Sequence, residues 1–134
     1  MDKHLIKQYK AQIKTILKQK DSVIFAYLFG SAVTGFLTPM SDLDIAVYVS
    51  SDYTTERLNL IGCLLTALKT DFIDLVILNI APLPLRARII QNKEVVIDKN
   101  PSIRYSFESL TLRQYYDFSL KEKHIFERRF QLAR

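Results

Sequence analysis

FGSAVTGFLTPMSDLDIAVYV, residues 29–49, is the stretch on which the reading of this chain turns. It leaves an apolar run at Phe29, passes through Gly30-Ser31, crosses ten residues with turn signals at Gly35 and Thr38-Pro39, and re-enters apolar sequence through Asp42-Leu43-Asp44. In an extended strand, side chains two apart point to one face. Asp42 and Asp44 therefore share a side, while Ile45, Val47 and Val49 pack on the other. Two carboxylates on a strand flanked by apolar residues are costly without cations. Where a strand gives way to a helical turn, the free backbone amides and hydroxyl of Gly30-Ser31 can take up anionic oxygens. The missing Cβ of Gly30 would let such a group come close.

Working outward, VIFAYLF (Val23–Phe29) is a β-branched and aromatic run that predicts a buried strand, and LDIAVYV (Leu43–Val49) predicts a second. Between them, Ser31–Ser41 is expected to form a short helical turn and then a loop. From Thr54 to Lys69, Leu58, Ile61, Leu64, Leu65 and Leu68 recur at helical spacing, and DFIDLVIL (Asp71–Leu78) predicts a third strand. Pro82 and Pro84 open a helix through Gln91, where first-turn amides lack partners anyway. EVVID (Glu94–Asp98) predicts a fourth strand, at a sheet edge. From Pro101 onward, Ile103, Phe107, Leu110, Tyr115, Phe118, Ile125, Phe126 and Phe130 predict one or two helices covering the sheet. The expected fold is α/β (α+β): a small mixed sheet flanked by helices, in one domain over residues 1–134.

Composition sets the outer limits. One cysteine, Cys63, excludes an internal disulfide and a Cys/Cys metal site, which makes a reducing cytoplasm the simplest compartment. The most apolar run, Leu75–Leu85, is interrupted by Asn79, Pro82 and Pro84 and is too short to span a bilayer, so no membrane partner is expected. The net charge of +5 is matched by residues 1–20 alone, which hold six lysines and one aspartate. Lys3, Lys7, Lys10, Lys14 and Lys18 form one helical stripe beside an apolar one of Leu5, Ile6, Tyr9, Ile13, Ile16 and Leu17. A stripe of this kind reads as a solvated face, with an acidic partner or RNA as the competing reading.

The pattern Gly30-Ser31, ten residues, Asp42-Leu43-Asp44 resembles the signature of the nucleotidyltransferase superfamily that includes DNA polymerase β, and the chain is similar to its minimal nucleotidyltransferase branch. The resemblance covers residues 23–78 in detail and implies the nucleotidyltransferase fold. It also implies two Mg²⁺ ions held by carboxylates, ATP as substrate, and Gly30 and Ser31 on the β- and γ-phosphates. The family's third aspartate lies on a later strand. Asp74 fits that position, with Asp71 as its rival at the strand entrance. On this analogy Asp42 and Asp44 serve both metals, and Asp74 serves the catalytic metal and acts as general base. One departure stands out: small family members often carry a basic residue before the glycine that follows Gly-Ser, and here that position is Thr34. Arg86 and Arg88 are candidate substitutes, against the plainer reading of a solvated helix face.

Larger relatives add a second domain to select the acceptor, and this chain leaves no room for one. The minimal branch typically occurs beside a separate HEPN-domain RNase toxin. The resemblance therefore implies an antitoxin that transfers AMP from ATP to a tyrosine hydroxyl of that partner. No toxin motif occurs in the chain itself; His124 reads as a surface residue. The aromatic and basic stretch with Tyr115, Tyr116, Arg128, Arg129 and Phe130 could dock a partner or pack in the core. Two other classes compete: an antitoxin that acts by occlusion without catalysis, and an enzyme that nucleotidylates a small molecule. RNA end-addition is weaker, because the lysine stripe has no evident path to the site.

Overall fold

A computed structural model of the chain describes residues 3–34 and 42–132. Its elements run α1 (Lys3–Lys18), β1 (Val23–Phe29), α2 (Ser31–Thr34), β2 (Leu43–Val49), α3 (Tyr53–Leu68), β3 (Ile73–Ile77), α4 (Leu83–Gln91), β4 (Glu94–Asp98) and α5 (Pro101–Leu132). The strands form one mixed sheet in the order β3-β2-β1-β4. β1 pairs antiparallel with both β2 and β4, and β2 pairs parallel with β3. The sheet is mixed, helices flank it, and β4 lies at its edge, all as the sequence predicts. The turn signals at Gly35 and Thr38-Pro39 lie outside the described residues.

Strand alternation divides the core in two. Val23, Ala26 and Leu28 of β1, with Leu43, Ile45, Val47 and Val49 of β2, point to the face covered by α1 and α3, where Ile13, Leu17, Leu60 and Leu64 are fully buried. Phe25 and Tyr27 of β1 and Ala46 of β2 point to the opposite face, against Leu78 and against Ile89 and Ile90 of α4. On that second face Phe25 stacks on Tyr48 at 4.8 Å between ring centroids, and Phe107 of α5 meets both rings, at 5.7 and 5.2 Å. Offset and edge-on aromatic contacts of this kind add to area burial, so the cluster fixes where α5 lands.

A polar staple reinforces that landing. The Tyr27 hydroxyl, buried in the sheet, donates to Glu108 Oε1 at 2.7 Å, and Arg104 bridges Glu108 at 3.0 Å and Asp98 at 2.8 Å. Lys93 lies 3.2 Å from the same Glu108 oxygen. Burial works to raise the Glu108 pKa, but hydrogen bonds from Tyr27 and Arg104 and the charge of Lys93 outweigh it and hold the carboxyl below its ordinary value. Glu108→Ala would leave the Tyr27 hydroxyl and the Arg104 guanidinium short of a partner, at an expected loss of about 2–4 kcal/mol. Urea unfolding checks this. A loss under about 0.5 kcal/mol, the range of an ordinary surface substitution, would show that the staple is not structural.

Three sequence expectations change in detail. β3 ends at Ile77, because Leu78–Ile80 turns as a 3₁₀ segment. There the Asn79 side-chain amide hydrogen-bonds both the N–H and the carbonyl of Val49, at 2.9 and 2.8 Å, and so imitates one more strand residue. The buried stripe of α3 is Leu60, Leu64 and Leu68, while Leu58 is 65% exposed. The third change is the largest. The C-terminal region is one 32-residue helix, and beyond Tyr115 its described side chains, including Phe118, Ile125 and Phe126, are exposed instead of covering the sheet. The reason is length. Such a helix is roughly 48 Å long, whereas a seven-residue strand spans about 23 Å, so half the helix overruns the sheet.

The lysine stripe is also placed. Lys10 pairs with Glu94 at 2.7 Å, while Lys7, Lys14 and Lys18 are exposed. No described helix is long and apolar enough to cross a membrane.

Candidate active site

Asp44 lies on the α4/α5 side of β2, because it shares strand parity with Ala46 and Tyr48. Its register partners are Phe29 on β1 and Asp74 on β3. The two aspartates are therefore side by side on parallel neighbouring strands, with Asp74 in the strand and its rival Asp71 before it. Asp42 is exposed and immediately precedes β2, and a hydrogen bond from Leu43 N–H to the Phe72 carbonyl at 2.8 Å holds that entrance to the β3 side.

Asp44 lies within the field of the other two carboxylates. Asp44, half-buried, has its pKa pushed up to about 6, first by burial, then by the negative charge of Asp74 and that of Asp42. Like charges that share a site resist joint ionisation, which is how metal-holding and acid-base clusters announce themselves. Among the described residues, no three His, Cys, Asp or Glu side chains are gathered tightly enough to hold a metal ion as they stand. Asp42, Asp44 and Asp74 thus share a neighbourhood and a field without forming an all-protein cage. Carboxylate oxygens are the donor type that Mg²⁺ takes, together with waters and substrate phosphates, so the chemistry of these side chains fits that ion.

Gly30 closes the corner. Its φ of +71° is a conformation that L-residues rarely adopt, and the turn continues into α2 through a hydrogen bond from Val33 N–H to the Gly30 carbonyl at 3.1 Å. A Cβ on Gly30 would collide with Asp44 Oδ2 and stand 3.2 Å from its Cγ. The sequence suggests a glycine here for the approach of a phosphate, and the structure adds a second reason, because the Asp44 carboxylate occupies the place a Cβ would take. Ser31, partly buried, begins α2 beside it.

Over this corner lies a cavity of about 290 Å³ lined by Phe29, Gly30, Asp44, Arg88 and Asn92. Arg88 and Asn92 come from the C-terminal end of α4, and the Asn92 side-chain amide donates to the Arg88 carbonyl at 3.1 Å. Arg86 and Arg88 share one reading in the sequence, and the structure separates them. Arg86 is half-buried with its guanidinium 6.0 Å from the Phe107 ring, whereas Arg88 lines the cavity with Asp44. Asn92 escaped sequence reasoning altogether, because a lone asparagine after a helix is usually read as a cap. A larger cavity, of about 670 Å³ and lined by Ile16, Lys20, Leu58 and Cys63 among others, lies between α1 and α3, on the other side of the sheet.

Residues 11–102 match the family model described as polymerase beta nucleotidyltransferase. The chain belongs to the polymerase β nucleotidyltransferase family. The solved structures agree on the fold. This nucleotidyltransferase resembles a chain in the complex of the tri-AMPylated HEPN toxin of Shewanella oneidensis with its MNT antitoxin. The TM-score is 0.71 at 22% identity, over 93% of this chain and 98% of that one. A toxin–antitoxin with AMP-PNP gives 0.70 at 22% identity over 97% and 99%, and a mutant of the toxin–antitoxin MntA–HpeT gives 0.68 at 27% identity over 88% and 94%. No curated protein matches this nucleotidyltransferase by sequence.

Proposed function

We propose that this nucleotidyltransferase is an antitoxin that transfers AMP from ATP to a tyrosine hydroxyl of a HEPN RNase toxin. The observation that carries the reading is the side-by-side placement of Asp44 and Asp74 on neighbouring strands, directly against the Gly30 corner. Family membership supports transfer of a nucleotide. The choice of acceptor draws on the similar solved complexes, one with an AMPylated HEPN toxin and one with an ATP analogue.

Each residue then has a task. Gly30 and Ser31 bind the β- and γ-phosphates through backbone N–H groups and the serine hydroxyl. Asp42, Asp44 and Asp74 would hold Mg²⁺, which when bound supplies positive charge to the triphosphate and its leaving group. Asp74 takes the phenolic proton as the tyrosine oxygen attacks the α-phosphorus. The bond from that phosphorus to the bridging oxygen breaks, and pyrophosphate leaves with the electron pair. In-line positioning of phenol and phosphate between β2, β3 and α4 removes much of the entropic barrier.

The test is to incubate the chain with labelled ATP, Mg²⁺ and a HEPN protein encoded by a neighbouring gene, and to map added mass by peptide mass spectrometry. Adenylate on a partner tyrosine, lost with Asp42→Ala, is the expected outcome. Full neutralisation of the toxin by a triple variant, Asp42→Ala with Asp44→Ala and Asp74→Ala, would instead make the chain an occluding binder. Label on a small molecule and not on protein would assign it the other transferase role.

A further inference from the structure

The cavity over Asp44 is one of two that share Arg88. The second, of about 450 Å³, is lined by Pro84, Leu85, Arg88, Gln91 and Tyr115. Pro84, Arg88 and Gln91 recur at i, i+4 and i+7 along one face of α4, so a single helix face floors both cavities, and Tyr115 of α5 borders the second. The Arg88 guanidinium is exposed and makes no hydrogen bond or ion pair among the described residues. Of the neighbouring cations, Lys93 pairs with Glu108 and lies over the Tyr27 ring, Arg104 pairs with Asp98 and Glu108, and Arg86 is half-buried beside the Phe107 ring, its Nε buried without a hydrogen-bond partner. Arg88 is thus the exposed cation that borders both compartments, whereas Arg86 lines neither.

We infer that the two cavities form one nucleotide cleft, with Arg88 at the junction binding the triphosphate and the compartment of Pro84, Leu85, Gln91 and Tyr115 receiving the nucleoside. The inference rests on the nucleotidyltransferase reading and adds where each half of the substrate lies. The chemistry of each compartment fits. A guanidinium presents planar paired donors to phosphate oxygens, and it supplies from α4 the charge that Thr34 cannot supply from the Gly30 loop. Beyond it, a tyrosine ring and the apolar edges of Pro84 and Leu85 offer stacking surface to a base, and the Gln91 amide offers both a donor and an acceptor to its edge. Most ligand pockets combine an apolar lining with a few convergent polar groups in this way, at volumes of about 300–1,000 Å³.

Inorganic tripolyphosphate separates the two halves, because it carries the phosphates without the nucleoside. Binding of ATP and of tripolyphosphate, each with Mg²⁺, is measured calorimetrically on the full chain and on Arg88→Ala, Tyr115→Ala and Gln91→Ala. Lys14→Ala, on exposed α1, serves as a charge control. Arg88→Ala is expected to weaken both ligands by roughly tenfold or more. Tyr115→Ala is expected to weaken ATP by roughly tenfold and leave tripolyphosphate unchanged, and Gln91→Ala, which removes no packed ring, to do the same to a smaller extent. Wild-type tripolyphosphate affinity in Arg88→Ala, or wild-type ATP affinity in both nucleoside-side variants, overturns the inference. If the unmodified chain binds neither ligand, the nucleotidyltransferase reading itself fails. If it binds both but adenylates no partner, only the choice of acceptor fails.

Discussion

Asp44→Asn is expected to lose at least about a thousandfold in AMP transfer and, at the same time, to melt at a higher temperature than the unmodified chain when Mg²⁺ is withheld. On the proposed function, the first effect follows from removing one of the charges that would hold Mg²⁺, equivalent to about 4 kcal/mol of barrier. The second follows from the same charge viewed without its cation. Burial, Asp74 and Asp42 push the Asp44 pKa up to about 6 from an ordinary 3.8, so the folded chain binds this proton more tightly than the unfolded chain does. The favourable contribution is therefore fully present below pH 3.8 and is lost as pH rises through about 6. At neutral pH the ionised carboxylate is a burden that asparagine, uncharged and of the same shape, removes. Solvent reaches this half-buried group, so the gain is discounted to no more than about 1 kcal/mol, or about 3 °C. The rise should vanish when the two proteins are melted near pH 4, where the native side chain is itself protonated. A melting temperature that falls at pH 7 would remove the electrostatic account. Transfer within tenfold of the unmodified chain would remove Asp44 from the chemistry.

Gly30→Ala carries the second largest expected effect: about a hundredfold loss of transfer together with a stability loss of about 1–3 kcal/mol. Two causes add. An L-residue at φ +71° costs about 1 kcal/mol on conformational grounds. The new methyl also meets the Asp44 carboxylate head-on, so the side chain must leave the rotamer that aims it at its neighbours. The loss of transfer comes from that displacement, since a misplacement of about 1 Å near the reacting atoms is enough to cost a hundredfold. Gly62→Ala is the natural control. Gly62 lies within α3 with nothing within 4 Å of the position a Cβ would take, so alanine there is expected to stabilise by about 0.5–1 kcal/mol and leave transfer untouched. Thermal melts and initial rates on the two variants decide the matter. Equal behaviour of Gly30→Ala and Gly62→Ala would mean that the corner is an ordinary turn.

How much of this was open to reading from the chain differs from element to element. β1, β2 and β4 lie where their β-branched and aromatic runs put them, because a strand buried on one or both faces imposes a short, local hydrophobic pattern. β3 is shorter than the run Asp71–Leu78, starting two residues later and ending one earlier, and at its end the side chain of Asn79 closes on Val49, thirty residues away, a pairing no local signal records. The helix from Pro101 was the least legible. Its apolar residues spread around the axis, and the ring cluster of Phe25, Tyr48 and Phe107, with the Tyr27–Glu108–Arg104 staple, decides which part touches the sheet. The lysine stripe, ambiguous in sequence, lies on α1, which covers the sheet face opposite to Asp44, and this weakens the reading of RNA as a substrate.

By itself the sequence determined the mixed α/β class and the family signature, because Gly30-Ser31 and Asp42-Leu43-Asp44 are spacings along one strand–turn–strand unit. Backbone alternation converts such spacings directly into faces. Only tertiary structure decided that Asp74 and not Asp71 stands beside Asp44, that Gly30 is shaped by the Asp44 carboxylate, and that Arg88 looks into the same cavity while Arg86 does not. Those relations join residues 14 to 44 positions apart through a parallel strand pair and a helix packed across the sheet. Register and packing angle are set there by the whole core at once, and no short stretch of chain encodes them.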